Sequence, residues 1–384
     1  MEKILQISAI EYKQFLDCHP INDFLISENM GEKMAVEGWD VIYLGYYENE
    51  EMKAACKVAT YKLMKIFKYG FTPRGFVIDY DDEELFRRFT SALKKYLNSL
   101  KVVYLETDPS IQYRIHNQDG DVIDDSFNKQ YIDLFINNGY QHLPLWTGYK
   151  EGKNNRWVSY LDLKDKTYQQ IFKGYSSRAV RNVKLARKYK LQVEELTIDD
   201  IDIFLNMEHE TAKRQNFESM SKLYFTDMQK YFPENFKYYV VYGLKSDILE
   251  VLNSENDKSD ALQQKMDVIN ACNEEKIYMA AIVNIEYGNK MLYLAGASKY
   301  DYRGFRGPFI LHDEIIHQCI DKQLDEYDFY GISGLFNEED EGYGVYQFKK
   351  GFGSNVREYI GNFILPIKPI PYLIFKTFKK KYLY

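Results

Sequence analysis

The first third of the chain alternates short apolar runs with polar turns. Segments 41–47 and 52–64 are rich in β-branched and aromatic residues and are separated by Glu48-Asn49-Glu50-Glu51, which predicts two strands joined by a turn. Residues 74–80 have the composition of another short strand. Because these runs are only about seven to thirteen residues long, they indicate sheet strands rather than membrane spans, which need about 20 apolar residues.

A helix follows these strands. After Asp81 and Asp82, large apolar residues recur at every fourth position, which places them on one helix face below an aspartate N-cap. These residues are Leu85, Phe89, Leu93 and Leu97. Segment 101–105 returns to a strand pattern, and Asp108-Pro109 ends it because the residue before proline avoids helical geometry. The result is a strand–helix–strand unit.

The same order of elements is repeated after Trp157. The pattern predicts strands at 158–163, 237–243, 277–287, 290–297 and 326–330, and helices at 167–190, 199–216 and 308–323. Gly288-Asn289 between two strands is a strong signal for a type I′ hairpin turn. We therefore predict an α/β (α+β) protein with two similar domains in tandem, residues 1–155 and 156–384.

An insertion at 245–275 lies between two predicted strands of the second domain. It is polar, but Leu249 with Leu252, and Leu262 with Met266 and Ile269, stand at helical spacing. This pattern predicts a short helical hairpin that turns at residues 254–257. Its function is open, since a solvated two-helix decoration explains the pattern equally well.

Composition narrows the class of protein. Apolar residues make up 45% and charged residues 28% of the 384 residues, which is typical of a globular protein. Cys18, Cys56, Cys272 and Cys319 are dispersed and lack CxxC spacing, which favours reduced thiols. The N-terminus lacks the apolar core of a signal peptide, so we expect a cytoplasmic protein. With a net charge of −7, any nucleic-acid site must be a local basic patch.

Familiar catalytic signatures are missing from the sequence. GxSxG, GxxxxGK[ST], HExxH and a helix-opening GxGxxG do not occur. The six histidines are dispersed, and His312 with His317 has the wrong spacing for one helix face. We therefore expect no metal and no cofactor.

The predicted helix at 167–190 is strongly basic. Arg181, Lys184 and Lys188 stand at i, i+3 and i+7 and share one helix face, while Ala179, Val183 and Ala186 line another. Together with Arg178, these cations could contact the phosphates of a nucleic acid. A solvated helix face accounts for the spacing equally well.

Four glycine-rich segments follow one another in the C-terminal third of the chain. They are Gly296-Ala297-Ser298 after Tyr293, YRGFRGP at 302–308, YDFYGISG at 327–334, and YGVYQFKKGFG at 343–353. Small residues at a strand end before a helix form a backbone pocket that suits anions. In the last segment Lys349 lies between glycines and is suited to stabilise an oxyanion, and an extended segment would point Lys349 and Lys350 to opposite faces.

The ordered set of these segments, continued by EYIGNF at 358–363 and Pro366, resembles the Fem family of aminoacyltransferases, which build peptidoglycan cross-bridges. Ser176-Ser177-Arg178, Tyr104-Leu105, Asp108-Pro109 and Lys33 extend the resemblance over essentially the whole chain. It implies two tandem GNAT-like (acyl-CoA N-acyltransferase-like) domains. It also implies transfer of glycine, alanine or serine from aminoacyl-tRNA to the stem-peptide amine of a peptidoglycan precursor. Several members carry a long helical arm where this chain has only the insertion at 245–275.

The resemblance also implies roles for individual residues. Lys349 matches the catalytic lysine, and Phe348 matches the aromatic residue that contacts the tRNA acceptor end. Lys33 matches a lysine that holds the acceptor's diphosphate. The arginine that completes this clamp in the family falls near Met220, so Arg214 is only a substitute candidate. Tyr224 keeps its place, and Tyr293 and Asp108 complete the candidate substrate-binding residues, although Asp108 fits a turn-capping role better.

The implied partners are aminoacyl-tRNA and either UDP-MurNAc-pentapeptide or its lipid-linked form. The C-terminal segment 369–384 combines aromatic residues with lysines, which suits peripheral contact with the inner membrane face as well as it suits a docked basic helix. Homo- or hetero-oligomers are left open. The rival functions are an N-acyltransferase that uses an acyl-CoA and a non-catalytic Fem-like partner protein. Arg303 lacks the glycine three residues later that a [QR]xxGx[GA] loop requires, which disfavours acyl-CoA.

Overall fold

The computed structural model describes residues 2–21, 23–63, 66–124, 129–215, 218–255 and 259–378. Its strands are β1 (Glu2–Ile7), β2 (Asp40–Glu48), β3 (Glu51–Lys62), β4 (Lys68–Thr72), β5 (Val102–Thr107), β6 (Gln112–His116), β7 (Val122–Asp124), β8 (Gln141–His142), β9 (Trp157–Asp162), β10 (Gln192–Leu196), β11 (Phe236–Leu244), β12 (Lys276–Tyr287), β13 (Lys290–Ser298), β14 (Glu326–Gly331), β15 (Asn355–Tyr359) and β16 (Phe363–Pro366).

Its helices are α1 (Ala9–Asp17), α2 (Glu28–Val36), α3 (Glu83–Ser99), α4 (Lys129–Asn137), α5 (Tyr168–Lys173), α6 (Ser177–Lys188), α7 (Ile201–Gln215), α8 (Lys222–Tyr231), α9 (Lys245–Ser254), α10 (Asp260–Ala271), α11 (Gly307–Asp321), α12 (Tyr343–Lys350) and α13 (Pro369–Phe378). The mixture of sheets and helices confirms the α/β fold class. Among the described residues, no helix is both long and apolar enough to cross a membrane.

The chain divides into two compact units that are not simply consecutive. The first unit contains Met1–Val158, Gly331–Tyr343 and Val356–Tyr384, and the second contains Ser159–Tyr330 and Gly344–Asn355. The C-terminal residues therefore belong with the N-terminal part of the chain, unlike in the division at 155/156 expected from the sequence.

The first unit is built on a seven-stranded sheet in the order β1-β2-β3-β4-β5-β16-β8. Antiparallel pairing runs from β1 to β4, and β4 then pairs in parallel with β5 across the α3 connection. Asp82 caps α3 by accepting a hydrogen bond from the Leu85 N–H at 2.8 Å, as the sequence predicts. The apolar face of α3 packs into a core with Phe76 and Phe135.

The strand predicted at 74–80 is wrong. The strand of this region lies earlier, at β4, and residues 74–80 contribute only an isolated bridge between Val77 and Ala55. Arg74 (φ 60°) and Gly75 (φ 91°) take left-handed conformations that break the extended backbone. The apolar side chains of this segment are buried in the core of the first unit. Their burial, and not strand pairing, accounts for the strand-like pattern in the sequence.

In the second unit, the described strands form a sheet with the order β10-β11-β12-β13-β14-β9. Its core lies between this sheet and the helices α6 and α11. The two helices pack on each other, and α11 also packs on β11 and β12. The single helix predicted at 167–190 is wrong, because α5 ends at Lys173 with Gly174 as its C-cap, and Ser176 caps the start of α6 by accepting a hydrogen bond from the Ala179 N–H. The helical hairpin predicted at 245–275 is confirmed by α9 and α10, while residues 256–258 of its turn lie outside the described residues.

The type I′ turn lies in a different hairpin from the one predicted. Between β12 and β13 only Gly288 has a positive φ (57°), whereas a type I′ turn requires positive φ at both central residues. Between β2 and β3, Asn49 (φ 48°) and Glu50 (φ 71°) both meet that requirement. The type I′ prediction is therefore wrong at Gly288-Asn289, and this geometry occurs at Asn49-Glu50 instead.

This turn gives a stability prediction. Glu50 holds a left-handed backbone that costs a non-glycine residue about 1–2 kcal/mol, so Glu50→Gly should raise the free energy of unfolding by about 0.5–1 kcal/mol. Glu51→Gly is the matched control, because Glu51 is a paired strand residue and its replacement should destabilise. Urea unfolding monitored by circular dichroism measures both changes. Equal losses of stability at the two positions would contradict the turn assignment.

Candidate active site

The sheet of the second unit opens between β13 and β14. Their parallel pairing covers Lys290–Leu292 and Glu326–Asp328, whereas β13 continues to Ser298. The pairing of β12 with β13 shifts register at the same level, with Val283 opposite Ala295 but Asn284 opposite Tyr293. Such a bulge bends a strand and re-aims its side chains. Tyr293 therefore stands where the two strands begin to separate.

Lys349 reaches this opening from α12. Its side chain is buried, with 4% exposure, and its ammonium donates a long hydrogen bond (3.4 Å) to the Tyr330 carbonyl at the end of β14. The ammonium also lies 5.8 Å from the centre of the Tyr293 ring. Burial lowers the Lys349 pKa to about 7, and the nearby Asp328 carboxylate acts in the opposite direction.

The extended geometry expected around Lys349 is wrong, because the residue lies in the last turn of a helix. A helix turns neighbouring side chains by about 100°, so Lys349 and Lys350 still separate. Lys349 is buried, whereas Lys350 is only half-buried, 5.7 Å from the centre of the Tyr346 ring. The pair therefore divides into one interior and one peripheral cation.

The carbonyl that faces Lys349 belongs to a strained residue. Tyr330 has φ 65°, a conformation that is uncommon for a large side chain. Its N–H donates to the Asp328 carboxylate at 2.7 Å, which helps to hold the turn at the end of β14. Backbone strain of this kind costs about 1–3 kcal/mol and persists where the surrounding structure enforces it. Here it directs an acceptor oxygen toward the buried ammonium.

Aromatic residues form the wall beside Lys349. Phe348 is half-buried and packs edge-on against Phe309, with ring centres 5.0 Å apart, and lies 5.3 Å from the His312 ring. His312 is itself buried, with its Nδ1 2.8 Å from the Tyr327 hydroxyl. Burial and the Lys349 charge lower the His312 pKa to about 3, so this imidazole is neutral at pH 7. His312 is not among the residues predicted from the sequence, because the spacing of dispersed histidines does not indicate which of them is buried.

The basic stripe begins next to this site. The Ser176 N–H, at the start of α6, donates to the Gly351 carbonyl at 2.9 Å, so the first turn of α6 adjoins the end of α12. Ala179, Val183 and Ala186 are buried as predicted, and all four predicted cations of the stripe are exposed. Within the described residues, Arg178, Arg181 and Lys184 make no ion pair. Lys188 instead binds Glu255 at 2.9 Å.

The helical hairpin neutralises the far end of this stripe. Besides Lys188, Lys190 binds Asp247 (3.1 Å) and Glu250 (2.7 Å) of α9. Residues 245–275 contain eight acidic and three basic residues. Such a surface repels a phosphate backbone, so the hairpin limits the available stripe to its N-terminal part.

The remaining predicted residues of the second unit lie around α7 and α8. Arg214 is exposed, with its guanidinium 4.9 Å from the Tyr300 ring centre, and is therefore accessible to an anion. The Met220 N–H donates to Glu208 at 3.1 Å, so a carboxylate occupies the surroundings of the position where the family has an arginine. Tyr224 lies in the first turn of α8, edge-on to Phe225.

Two predicted residues belong to the first unit. Lys33 on α2 is 5% exposed and forms an ion pair with Glu37 one turn later. Asp108 is buried and accepts hydrogen bonds from the Arg74 N–H (2.9 Å) and the Asn154 amide (2.8 Å). Burial raises the Asp108 pKa to about 6, opposed by the charge of Arg74. These bonds hold the left-handed turn at Arg74, and a direct role in substrate binding stays a prediction.

A further buried lysine, Lys57, was not predicted from the sequence. Lys57 in β3 is fully buried and donates to the carbonyls of Leu25 (2.8 Å) and Ser27 (2.9 Å) just before α2. Burial lowers its pKa to about 7. Because both hydrogen bonds go to backbone carbonyls, we interpret Lys57 as a structural residue that holds the segment before α2 against β3.

Comparison with known proteins decides the family. The FemAB family model matches residues 7–277 and 245–380. Aminoacyltransferase FemA of Staphylococcus aureus strain MRSA252 is 30% identical over an alignment 417 positions long, which covers 98% of each chain. The same protein of strain N315 is 29% identical with the same coverage. The chain belongs to the FemAB family.

FemAB membership agrees with the fold. A crystal structure of FemX superposes with a TM-score of 0.80 at 19% identity, covering 97% of this chain and 99% of that one. The expectation of a tandem GNAT-like architecture of the Fem type is thereby confirmed. The two family-model matches overlap at 245–277, the residues of the helical hairpin. Within the described residues, no cluster of His, Cys, Asp and Glu could hold a metal ion.

The low pKa of Lys349 makes stability depend on pH. Between about pH 7 and 10.5 the unfolded chain keeps a proton that the folded chain has released at Lys349, so the free energy of unfolding rises with pH. Lys349→Met should remove about 1.4 kcal/mol per pH unit of this slope, measured by urea unfolding between pH 7.5 and 8.5. It should also raise stability at pH 7, because a buried cation is replaced by an apolar side chain.

Lys57→Met is the control for this experiment. It should remove a similar slope, but it should lower stability at pH 7 because two buried carbonyls are left without their donor. An unchanged slope together with lower stability in Lys349→Met would show that Lys349 is not a buried, destabilised ammonium.

Proposed function

We propose that the protein transfers an amino acid from aminoacyl-tRNA to the stem-peptide amine of a peptidoglycan precursor and so builds the interpeptide bridge. It is an aminoacyltransferase. The observation that carries the proposal is the buried Lys349 ammonium in the opening between β13 and β14. The full-length similarity to FemA aminoacyltransferases supports the same reaction class.

The reaction is the aminolysis of an ester. The acceptor amine attacks the ester carbonyl carbon, a C–N bond forms, and the carbonyl oxygen becomes a tetrahedral oxyanion. The C–O bond to the tRNA ribose then breaks, and the ribose oxygen leaves with a proton equivalent to the one released by the amine. The ester is already activated, so the step needs no further energy source.

Lys349 stabilises the oxyanion in this scheme. Its ammonium donates a long hydrogen bond to the Tyr330 carbonyl, and it lies in a water-poor site where a charge–charge interaction is strong. A developing negative charge raises the Lys349 pKa above 7, so the lysine is more fully charged in the transition state than in the free enzyme. Catalysis then follows from differential binding of the transition state.

The tRNA approaches Lys349 along α6. Arg178, Arg181 and Lys184 are exposed and lead toward the contact between Ser176 and Gly351, next to α12. Phosphate contacts there position the acceptor end near Phe348, whose half-buried ring suits stacking on a terminal base. Lys188 adds little, because Glu255 already neutralises it.

The acceptor's diphosphate is held by Lys33. In the free protein this ammonium binds Glu37, so an incoming anion competes with that carboxylate. Within the second unit, Arg214 offers an exposed guanidinium in place of the arginine missing at Met220, and Tyr224 and Tyr293 are candidate substrate contacts. Asp108 is the corresponding candidate in the first unit. UDP-linked and lipid-linked precursors share this diphosphate. The protein works in the cytoplasm, where aminoacyl-tRNA is made, and touches the inner membrane face only peripherally.

Replacement of Lys349 tests the catalytic assignment. Lys349→Met keeps most of the side-chain volume and removes the charge, so kcat should fall by about 10²–10³ while both KM values stay nearly constant. Single-turnover transfer from charged tRNA to purified precursor measures the change. Lys350→Met is the control on the same helix turn and should cost less than about threefold, because Lys350 lies at the periphery. Equal reductions at the two positions would mean that the pair supplies only diffuse positive charge. Full activity of Lys349→Met would show that Lys349 is a structural residue and does not stabilise the oxyanion.

Replacement of the stripe tests the tRNA contact. The triple variant Arg178→Gln, Arg181→Gln, Lys184→Gln should weaken tRNA binding and reduce the log–log salt slope by about 0.7–0.9 for each phosphate that is no longer neutralised. Lys188→Gln is the matched control and should change the slope little, because its charge is already paired. Fluorescence anisotropy between 50 and 300 mM salt (roughly the range over which such slopes are resolved) gives both values. Identical slopes for the wild type and the triple variant would exclude this face as the tRNA path.

Lys33 and Glu37 form a paired test of the acceptor site. Lys33→Ala should raise the KM for the precursor about tenfold or more while leaving the KM for aminoacyl-tRNA unchanged. Glu37→Gln should lower the precursor KM, because it removes a carboxylate that competes with the diphosphate for the same ammonium. Steady-state kinetics with each substrate varied in turn separates the effects. Parallel changes in both KM values for Lys33→Ala would contradict the diphosphate role.

A further inference from the structure

Helix α13 carries apolar side chains on two opposite faces. Tyr372 and Phe375 are buried against Tyr104, with ring centres 5.7 and 5.6 Å apart, and fix the helix to the first unit. Ile370, Leu373 and Ile374 lie on the other side and are 72%, 61% and 50% exposed. A helix that only docked on its own domain would carry polar residues there.

Further apolar surface lies in the same unit. Phe67 is partly buried in the cluster that contains Tyr372 and Phe375, and its neighbour Ile66 is 63% exposed. Other strongly exposed large apolar residues, such as Ile10 and Leu223, lie on separate helices, α1 and α8. The outer face of α13 therefore differs from isolated apolar exposure, which is normal on protein surfaces.

The charged residues of this C-terminal segment are all basic. Residues 364–384 contain five lysines (Lys368, Lys376, Lys379, Lys380 and Lys381) and no acidic residue, in a protein of net charge −7. Lys368 directly precedes α13 and Lys376 lies in its last turn, while residues 379–384 lie outside the described residues. An apolar stripe next to lysines is the pattern of an interfacial helix that lies in the headgroup region of an anionic bilayer.

We propose that the outer face of α13, formed by Ile370, Leu373 and Ile374, docks on an anionic lipid surface. The three side chains enter the boundary between headgroups and acyl chains, and Lys368 and Lys376 bind the lipid phosphates. A second copy of the chain fits this face less well, because a two-fold contact would bring two sets of lysines together without acidic partners. A helix of ten residues gives weak and reversible binding, which suits an enzyme that also meets tRNA in solution.

The role of this docking, which is to bring the enzyme to a lipid-linked acceptor, rests on the proposed function. The physical claim concerns the surface alone. Vesicle binding can therefore fail while transfer to a soluble acceptor succeeds, and the reverse can also occur, so the two proposals fail separately.

Vesicle sedimentation tests the surface directly. The full-length protein is mixed with vesicles of phosphatidylcholine alone or with about 30% phosphatidylglycerol, and bound protein is measured against lipid concentration. The wild type should bind the anionic vesicles at least about tenfold more tightly than the neutral ones, and less tightly in high salt. The variant Ile370→Ser, Leu373→Ser, Ile374→Ser should bind anionic vesicles about tenfold or more weakly than the wild type.

The matched control is Ile10→Ser, Ile123→Ser, Leu223→Ser, which removes three equally exposed apolar side chains elsewhere and should bind like the wild type. Thermal unfolding and transfer to a water-soluble stem-peptide acceptor confirm that the α13 variant is folded. The proposal is overturned if the wild type does not bind anionic vesicles, or if both triple variants bind them like the wild type. It is equally overturned if sedimentation equilibrium shows a dimer that only the α13 variant dissociates, because the face is then a protein interface.

Discussion

The Lys349 ammonium is held in the interior of the second unit, and the surrounding structure follows from that burial. Removing a cation from water costs free energy, which the pKa of about 7 expresses. Against an ordinary value of 10.5, this pKa corresponds to a cost on the order of 5 kcal/mol for the charged form. The Tyr330 carbonyl and the Asp328 carboxylate offset only part of the cost. A lysine whose charged form is disfavoured in the resting enzyme is prepared to gain from the negative charge that a substrate develops.

Several local distortions serve this arrangement. The register shift between β12 and β13 and the short pairing of β13 with β14 open the sheet, and the left-handed Tyr330 turns its carbonyl into the opening. The neutral His312 contributes packing without adding a second positive charge. The start of α6 is tied to Gly351, so the exposed cations of that helix begin beside the lysine. The proposed tRNA path and the proposed catalytic charge are thus linked by backbone contacts within one unit.

Sequence reasoning succeeded where local patterns match local structure. Helix α3 was predicted from the four-residue spacing of Leu85, Phe89, Leu93 and Leu97, and α9 and α10 were predicted from the apolar spacing at 245–275. These predictions succeeded because the amphipathic pattern of a helix is visible within a short stretch of sequence. It failed at residues 74–80, where an apolar run fills the core without pairing as a strand. It also failed at 167–190, where one basic stretch covers two helices separated by a cap. The resemblance to the Fem family identified Lys349 as a candidate catalytic residue. It did not indicate that Lys349 lies in a helix or that its side chain is buried. His312 and Lys57 could not be foreseen, because burial of a polar side chain depends on contacts that are distant in sequence.

The most direct test of this account is a titration of Lys349 itself. Nuclear magnetic resonance of protein labelled with ¹³C at lysine Cε follows each ammonium, and Lys349→Met identifies the signal. The account predicts that Lys349 in the free enzyme titrates with a pKa near 7, and that it titrates at higher pH when a non-reactive oxyanion mimic of the transfer intermediate is bound. A Lys349 signal that titrates near 10.5 in the free enzyme, and does not respond to the mimic, would contradict the claim that this buried charge drives the reaction.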